Sequence, residues 1–157
     1  MKLQRLLSYT RRAVDDFQMI QPGDKIAVGI SGGKDSLALL YALAGLRRFY
    51  PNKFTVEAIT IKLGFEGMDF SPVEKLCNEL EAPYTIVDTE IANVIFDIRK
   101  EENPCSLCAK MRKGAFNEKA KELGCNKSAY AHHQDDVIET SLMSLIYEGR
   151  YYTFAPV

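Results

Sequence analysis

Four short apolar runs rich in β-branched residues alternate along this chain with stretches of helical periodicity, and that alternation restricts the fold more than any other feature. KIAVGI (25–30), FTVEAITI (54–61), YTIVDT (84–89) and KSAYA (127–131) read as strands. Helices are expected over about 35–49, 71–80, 105–124 and 135–148. Apolar strands joined by helices are βαβ units, which build a parallel sheet with helices on both faces. Local punctuation supports these boundaries. Gln21-Pro22-Gly23-Asp24 is turn chemistry, and Pro51-Asn52 stops the helix that ends near Arg47-Arg48. Ser71 as N-cap and Pro72 at the first helical position open the next helix, while Gly124 and Gly149 close the last two. Ahead of the first strand, Leu3, Leu6, Leu7, Val14 and Phe17 recur at helical spacing. They give an amphipathic helix over about 2–18, with Lys2, Arg5, Arg11 and Arg12 largely outside its apolar face.

A chain of 157 residues has room for one domain, 1–157, with a real core. Its 20 basic and 21 acidic residues leave a net charge of −1, so no global charge calls for a nucleic-acid partner, although local basic patches could still supply one. No apolar stretch approaches the roughly 18 residues of a membrane span. The N-terminal MKLQRLLSYTRRAVDDF has no apolar block followed by a small-residue cleavage site, so the chain reads as cytoplasmic. In that compartment the pair Cys105 and Cys108 points to metal or redox chemistry rather than to a disulfide.

The stretch ISGGKDS (30–36) sits where the first strand turns into a helix. It is not a Walker A loop: Val28 stands at the first glycine position, and Asp35 where a magnesium-binding Ser or Thr is required. The dinucleotide glycine pattern fails as well. The context still suits an anion, because two glycines permit close backbone approach and a helix N-terminus offers free N–H groups. Ser31 and Ser36 add hydroxyls and Lys34 a charge, while Asp35 would cap the helix or hold a bridging Mg²⁺. A ligand-free Gly-Gly turn with Asp35 as a cap is the simpler alternative.

Two further clusters carry chemistry. PCSLCAKMRKGA (104–115) sets Cys105 and Cys108 one turn apart at a helix N-terminus, where the dipole, Lys110, Arg112 and Lys113 favour thiolate. Cys77 and Cys125 are single, which argues against a zinc ribbon. Lys110, Lys113, Asn117 and Lys121 make a polar stripe, either solvated or facing an RNA backbone. AHHQDDVIET (131–140) follows the fourth strand. Its acids suit a first helical turn, yet His133 and Asp136 also open onto the carboxyl edge of the sheet, where α/β ligands bind.

The pattern S-G-G-x-D-S after the first strand resembles the PP-loop family of ATP pyrophosphatases, with an adenine-nucleotide α-hydrolase-like fold. With PCSLCAKMRKGA and AHHQDDVIETSLMSLIYEGR, it is similar to the tRNA 2-thiocytidine biosynthesis branch of that family, in order over nearly the whole chain. The resemblance implies that ATP adenylates a cytidine carbonyl oxygen in a tRNA, releasing pyrophosphate. Sulfur then replaces that oxygen and AMP leaves. It implies that Ser31, Gly32, Gly33, Lys34, Asp35 and Ser36 grip the pyrophosphate and that the backbone near Ile61 faces adenine. His133 and Asp136 would lie on the phosphate side, with Asp136 as catalytic or Mg²⁺-binding carboxylate beside Asp35. Lys34 and Arg112 would be basic catalytic residues, and Cys105 and Cys108 ligands of a 4Fe–4S cluster. A sulfur donor (a cysteine desulfurase or sulfide) and a homodimer are implied as well. The family's third cluster cysteine lies in a C-terminal portion with no counterpart here, so a truncated chain is expected. Other readings are an AMP-forming amide ligase of the same fold, a thio-base desulfidase that consumes no ATP, and an inactive ATP- or RNA-binding module.

Overall fold

The computed structural model describes residues 3–65, 67–95 and 104–153. Strand β1 (Lys25–Gly29) pairs with β2 (Thr55–Lys62) on one side and with β4 (Lys127–Ala129) on the other, and β3 (Tyr84–Asp88) lies outside β2. The order is therefore β3-β2-β1-β4, every neighbour parallel. The helices are α1 (Leu3–Asp16), α2 (Lys34–Leu46), α3 (Ser71–Glu79), a single turn α4 (Ile91–Asn93), α5 (Pro104–Glu122) and α6 (Gln134–Glu148). The expected sheet, covered on both faces, is what forms.

Alternation along the central strands divides the core in two. Ile26, Val28 and Ile30, with Val56 and Ala58, face a large cluster that includes Leu40, Leu43 and Leu46 of α2, Val14 of α1, and Val73 and Cys77 of α3. Ala27 and Ile59 point the other way and pack on Phe116 and Ala120 of α5. Small side chains on that second face let the aromatic ring of Phe116 come close. α1 contributes less than its periodicity suggests: Val14 is buried, but Leu3 and Phe17 are exposed, and Phe17 falls just beyond the helix end. α6 keeps Ile138, Leu142, Leu145 and Ile146 in contact with solvent.

Several boundaries differ from the sequence reading, each for a local reason. Phe70, not Ser71, is the N-cap of α3; the Asp69 carboxylate takes both the Ser71 N–H and its hydroxyl, at 2.9 and 2.6 Å. α2 ends at Leu46 because Arg47 becomes its C-cap and extends its guanidinium to the carbonyls of Leu80 and Glu81. The strand expected over 127–131 is three residues long, so Tyr130 and Ala131 lie beyond it. The turn α4 carries no clear sequence signal. Lys2 and the terminal residues 154–157 lie outside the described residues.

The amino edge of the sheet is held by charge. Asp24 is buried and its carboxylate accepts from the Gln21 N–H at 2.7 Å and the Asn126 side-chain amide at 2.7 Å, and pairs with Lys127 at 2.8 Å. Lys25 pairs with buried Glu57 at 2.9 Å and donates to the Leu123 carbonyl. These contacts fix β4 and the end of α5 against β1. Burial alone would raise the Asp24 pKa, but the Lys127, Gln21 and Asn126 hydrogen bonds and the Lys127 charge together hold it below the usual carboxylate range. The folded chain thus gives up this proton more readily than the unfolded one. The resulting stability is present above the unfolded value of about 4 and is lost as pH falls through the folded value. Asp24→Asn should therefore cost about 2 kcal/mol in urea unfolding at pH 7. Its deficit relative to the unsubstituted chain should shrink when the same titration is run near pH 3.

Candidate functional site

The carboxyl edge is organised around the end of β1. The Ile30 N–H donates to the Ile59 carbonyl at 2.9 Å, and the Thr60 hydroxyl donates to the Ile30 carbonyl at 3.1 Å. Tyr84 in turn donates its phenol to the Thr60 oxygen at 2.9 Å. With Ile30 anchored, the chain turns sharply through Gly32, whose φ of +83° is a conformation that L side chains rarely adopt. Ser31 and Ser36 close the loop. The Ser31 N–H and hydroxyl both reach the Ser36 Oγ, at 3.3 and 3.2 Å, and Ser36 donates to the Gly33 carbonyl at 2.9 Å. Ser36 is buried, whereas Ser31, Gly32, Gly33, Lys34 and Asp35 are exposed. Gly33 is the N-cap of α2 and supplies no side-chain cap. The start of this helix therefore presents backbone N–H groups, beside the Lys34 ammonium, to whatever anion comes to the edge.

The second helix at this edge is built differently. At the start of α6 the Asp136 carboxylate accepts the His133 N–H at 2.7 Å, while the Asp136 N–H donates to the His133 carbonyl at 3.1 Å. The Nδ1 atoms of His132 and His133 lie 3.9 and 3.6 Å from the same carboxylate oxygen. Asp136 is thus a capping residue here. Capping through one oxygen leaves a carboxylate a second with which to take a cation.

α5 carries the cysteines beyond this edge. It runs back from the carboxyl edge towards the amino edge, and Phe116 packs where β1 ends, against Gly29. Cys105, Cys108, Arg112 and Phe116 span about three helical turns and share one stripe, the stripe that Phe116 turns towards the sheet. Cys108 and Cys105 lie roughly 12 and 16 Å further along the helix axis than Phe116. Cys105 is exposed and Cys108 half-buried. The other two cysteines are elsewhere. Cys77 is in the core, where burial pushes its thiol up to about 11. Cys125 follows α5 at the amino edge, beside Lys25, with its thiol pKa also raised by burial. Two neighbouring thiols fit two corners of an iron–sulfur cluster. The described residues contain no group of three or more metal-ligating side chains, so they do not complete a cluster.

Ile61 lies near the end of β2, half-buried and paired with Val87 of β3. Two residues escaped the sequence reading. Thr60 is a hydroxyl within the apolar AITI half of its strand run, and that placement was the available signal. Tyr130 follows β4 directly and packs on Gly29 and Phe116; its signal was an aromatic residue just before the two histidines. The capping geometry makes a prediction for stability. Asp136→Ala should lose about 1 kcal/mol, read as a lower urea midpoint, whereas Asp136→Asn keeps an acceptor for the His133 N–H and should lose only a fraction of that.

Comparison with known proteins follows the same lines. The sequence profile of the PP-loop domain matches residues 6–151. The tRNA-cytidine(32) 2-sulfurtransferase of Geobacter sulfurreducens is 36% identical over 156 residues, which are 99% of this chain and 61% of that protein. Among solved structures, the U34-tRNA thiolase NcsA from Methanococcus maripaludis, solved with its [4Fe-4S] cluster, superposes with a TM-score of 0.77 at 30% identity, covering 94% of this chain and 52% of that one. An NH3-dependent NAD synthetase from Campylobacter jejuni shares the fold at a TM-score of 0.54 and 16% identity, covering 95% of this chain and 76% of that one. The chain spans only about half to three-fifths of the tRNA-thiolating relatives it matches. With a profile that runs through the glycine loop, the cysteine pair and the first turns of α6, the chain belongs to the PP-loop domain family.

Proposed function

We propose that this chain is the ATP-binding part of a tRNA-thiolating enzyme that activates a cytidine by adenylation. The observation that carries the reading is that an uncapped helix start and an acidic helix start open on one sheet edge, beyond which α5 carries Cys105, Cys108 and Arg112 on one stripe. A pyrophosphate fits the first, a phosphate-bridging Mg²⁺ the second, and sulfur chemistry the third. The names of the relatives that match along the chain point the same way.

In this reading Ser31 to Ser36 hold the pyrophosphate of ATP, with Lys34 neutralising its charge and the backbone near Ile61 facing adenine. The cytidine carbonyl oxygen attacks the α-phosphorus and pyrophosphate departs. A sulfide-level sulfur then adds to the activated ring carbon, and AMP leaves with the original oxygen. Asp136 holds Mg²⁺, with Asp35 as a second carboxylate, while His133 positions the capping turn. Arg112 stabilises negative charge on the departing phosphate. Cys105 and Cys108 would hold two corners of a 4Fe–4S cluster, with the remaining protein ligand from outside the described residues; bound there, the cluster would supply the sulfur chemistry. The sulfur donor is a desulfurase or sulfide, the active form a homodimer and the setting cytoplasmic. No described helix is long and apolar enough to cross a membrane.

Pyrophosphate release from ATP, measured with and without unmodified tRNA, tests this directly: release that depends on tRNA is the expected result, and release that depends instead on ammonia and a carboxylic acid overturns it. Asp136→Asn should lower that release by at least about a hundredfold while leaving the urea midpoint close to unchanged, since the cap survives but the charge that binds the cation does not. After anaerobic reconstitution with iron and sulfide, Cys105→Ser should lose the broad absorption near roughly 400 nm. An unaltered spectrum would remove Cys105 from the ligand set.

A further inference from the structure

The ring of Tyr130 occupies a place no capping, phosphate or thiol role explains. It lies directly against Gly29, where an added Cβ would come within 3.1 Å of the ring and push it outward by a few tenths of an ångström. Its ring centroid is 5.0 Å from that of Phe116, tilted by 48°, and 6.3 Å from the His132 ring, tilted by 33°. Phe116 is buried at 2% exposure, as a core residue should be, but Tyr130 keeps 37% of its surface open. Its hydroxyl has only a long 3.5 Å approach to the Asn117 side-chain oxygen, too long to secure it. The ring is braced from behind and open in front.

The sheet order gives the position a meaning. β2 and β4 lie on opposite sides of β1, so the glycine loop is flanked by Ile61 on one side and Tyr130 on the other. A nucleotide lying across the loop with its base on the β2 side leaves the β4 side to the second reactant. An enzyme that does chemistry on a base acts on a single strand or takes the base out of its stack, and aromatic side chains commonly replace the lost stacking. Arg112 is exposed one turn before Phe116 on the same stripe of α5, and its charge reaches the Tyr130 phenol, opposing the rise in pKa that burial causes there. A cation beside a stacking ring suits the phosphate that accompanies an extruded nucleotide.

We infer that Tyr130, braced by Gly29 and Phe116 and bordered by His132 and Arg112, is the platform on which the unstacked target base of the RNA rests. This rests on the reading of the substrate as tRNA. It adds a position within the site, on the side of the loop away from adenine.

The chain contains no tryptophan, so Tyr130→Trp creates a single fluorescent reporter. Titration with an unmodified tRNA transcript should quench the indole, while a fully paired RNA duplex and ATP alone should leave it nearly unchanged. Tyr130→Leu should weaken tRNA binding about tenfold, the scale of one lost base–aromatic stack, with Tyr130→Phe within about twofold of the unsubstituted chain and ATP affinity unaffected in both. Filter binding of tRNA to the Trp variant without quenching overturns the inference and leaves the proposed function standing. Quenching by ATP alone assigns the ring to adenine and overturns it too. Failure of the unsubstituted protein to bind tRNA at all removes the proposed function and the platform together. If the Leu variant fails to fold, the Trp titration still decides.

Discussion

The hydrogen bonds that pin Ile30 hold the working edge of this protein in place. Its N–H and its carbonyl are both taken by β2, through the Ile59 carbonyl and the Thr60 hydroxyl. A backbone unit held on both sides cannot swing, so the turn at Gly32 begins from a fixed direction. The buried Ser36 hydroxyl then ties the far side of the turn to its near side. The loop is thereby formed before any ligand arrives, and the ordering entropy of its residues is spent in folding rather than in binding.

The two ends of the sheet divide the labour. At the amino edge, Asp24, Lys127, Asn126, Lys25 and Glu57 satisfy one another and fix β4 to β1. At the carboxyl edge the polar groups are left available. The contrast between two helix starts makes the point: α6 caps itself through Asp136, and α2 begins at a glycine with no side chain to give. An anion at α2 would supply the cap that the sequence omits.

Much of this was legible beforehand. Continuous apolar, β-branched runs in KIAVGI and FTVEAITI, broken by Gly-Gly and by helical spacing, yield both the strands and the parallel sheet, because burial on two faces demands such runs. The glycine loop, the cysteine stripe and the acidic turn could be placed because each lies at a junction that the pattern locates. What escaped depends on contacts distant in sequence. Tyr130 stacks on Gly29 a hundred residues away, and nothing local in KSAYA distinguishes a ring facing a glycine from one facing solvent. Thr60 looks like an ordinary strand residue until Ile30 is placed beside it. Phe70 replaces Ser71 as cap because the Asp69 carboxylate captures the Ser71 hydroxyl, a competition between adjacent side chains that propensity does not rank.

α5 is also a lever. It is anchored where Phe116 and Ala120 meet the sheet and steadied beside the short turn α4, and its first turn stands roughly 16 Å along the axis from that anchor. A rotation of about 5° at the anchor carries Cys105 through more than about 1 Å at that distance, a large fraction of a bond length in any reaction that must bring sulfur to carbon. Phe116 meets the sheet beside Gly29, so the smallest residue in β1 bears on the aim of the thiols at the far end of α5.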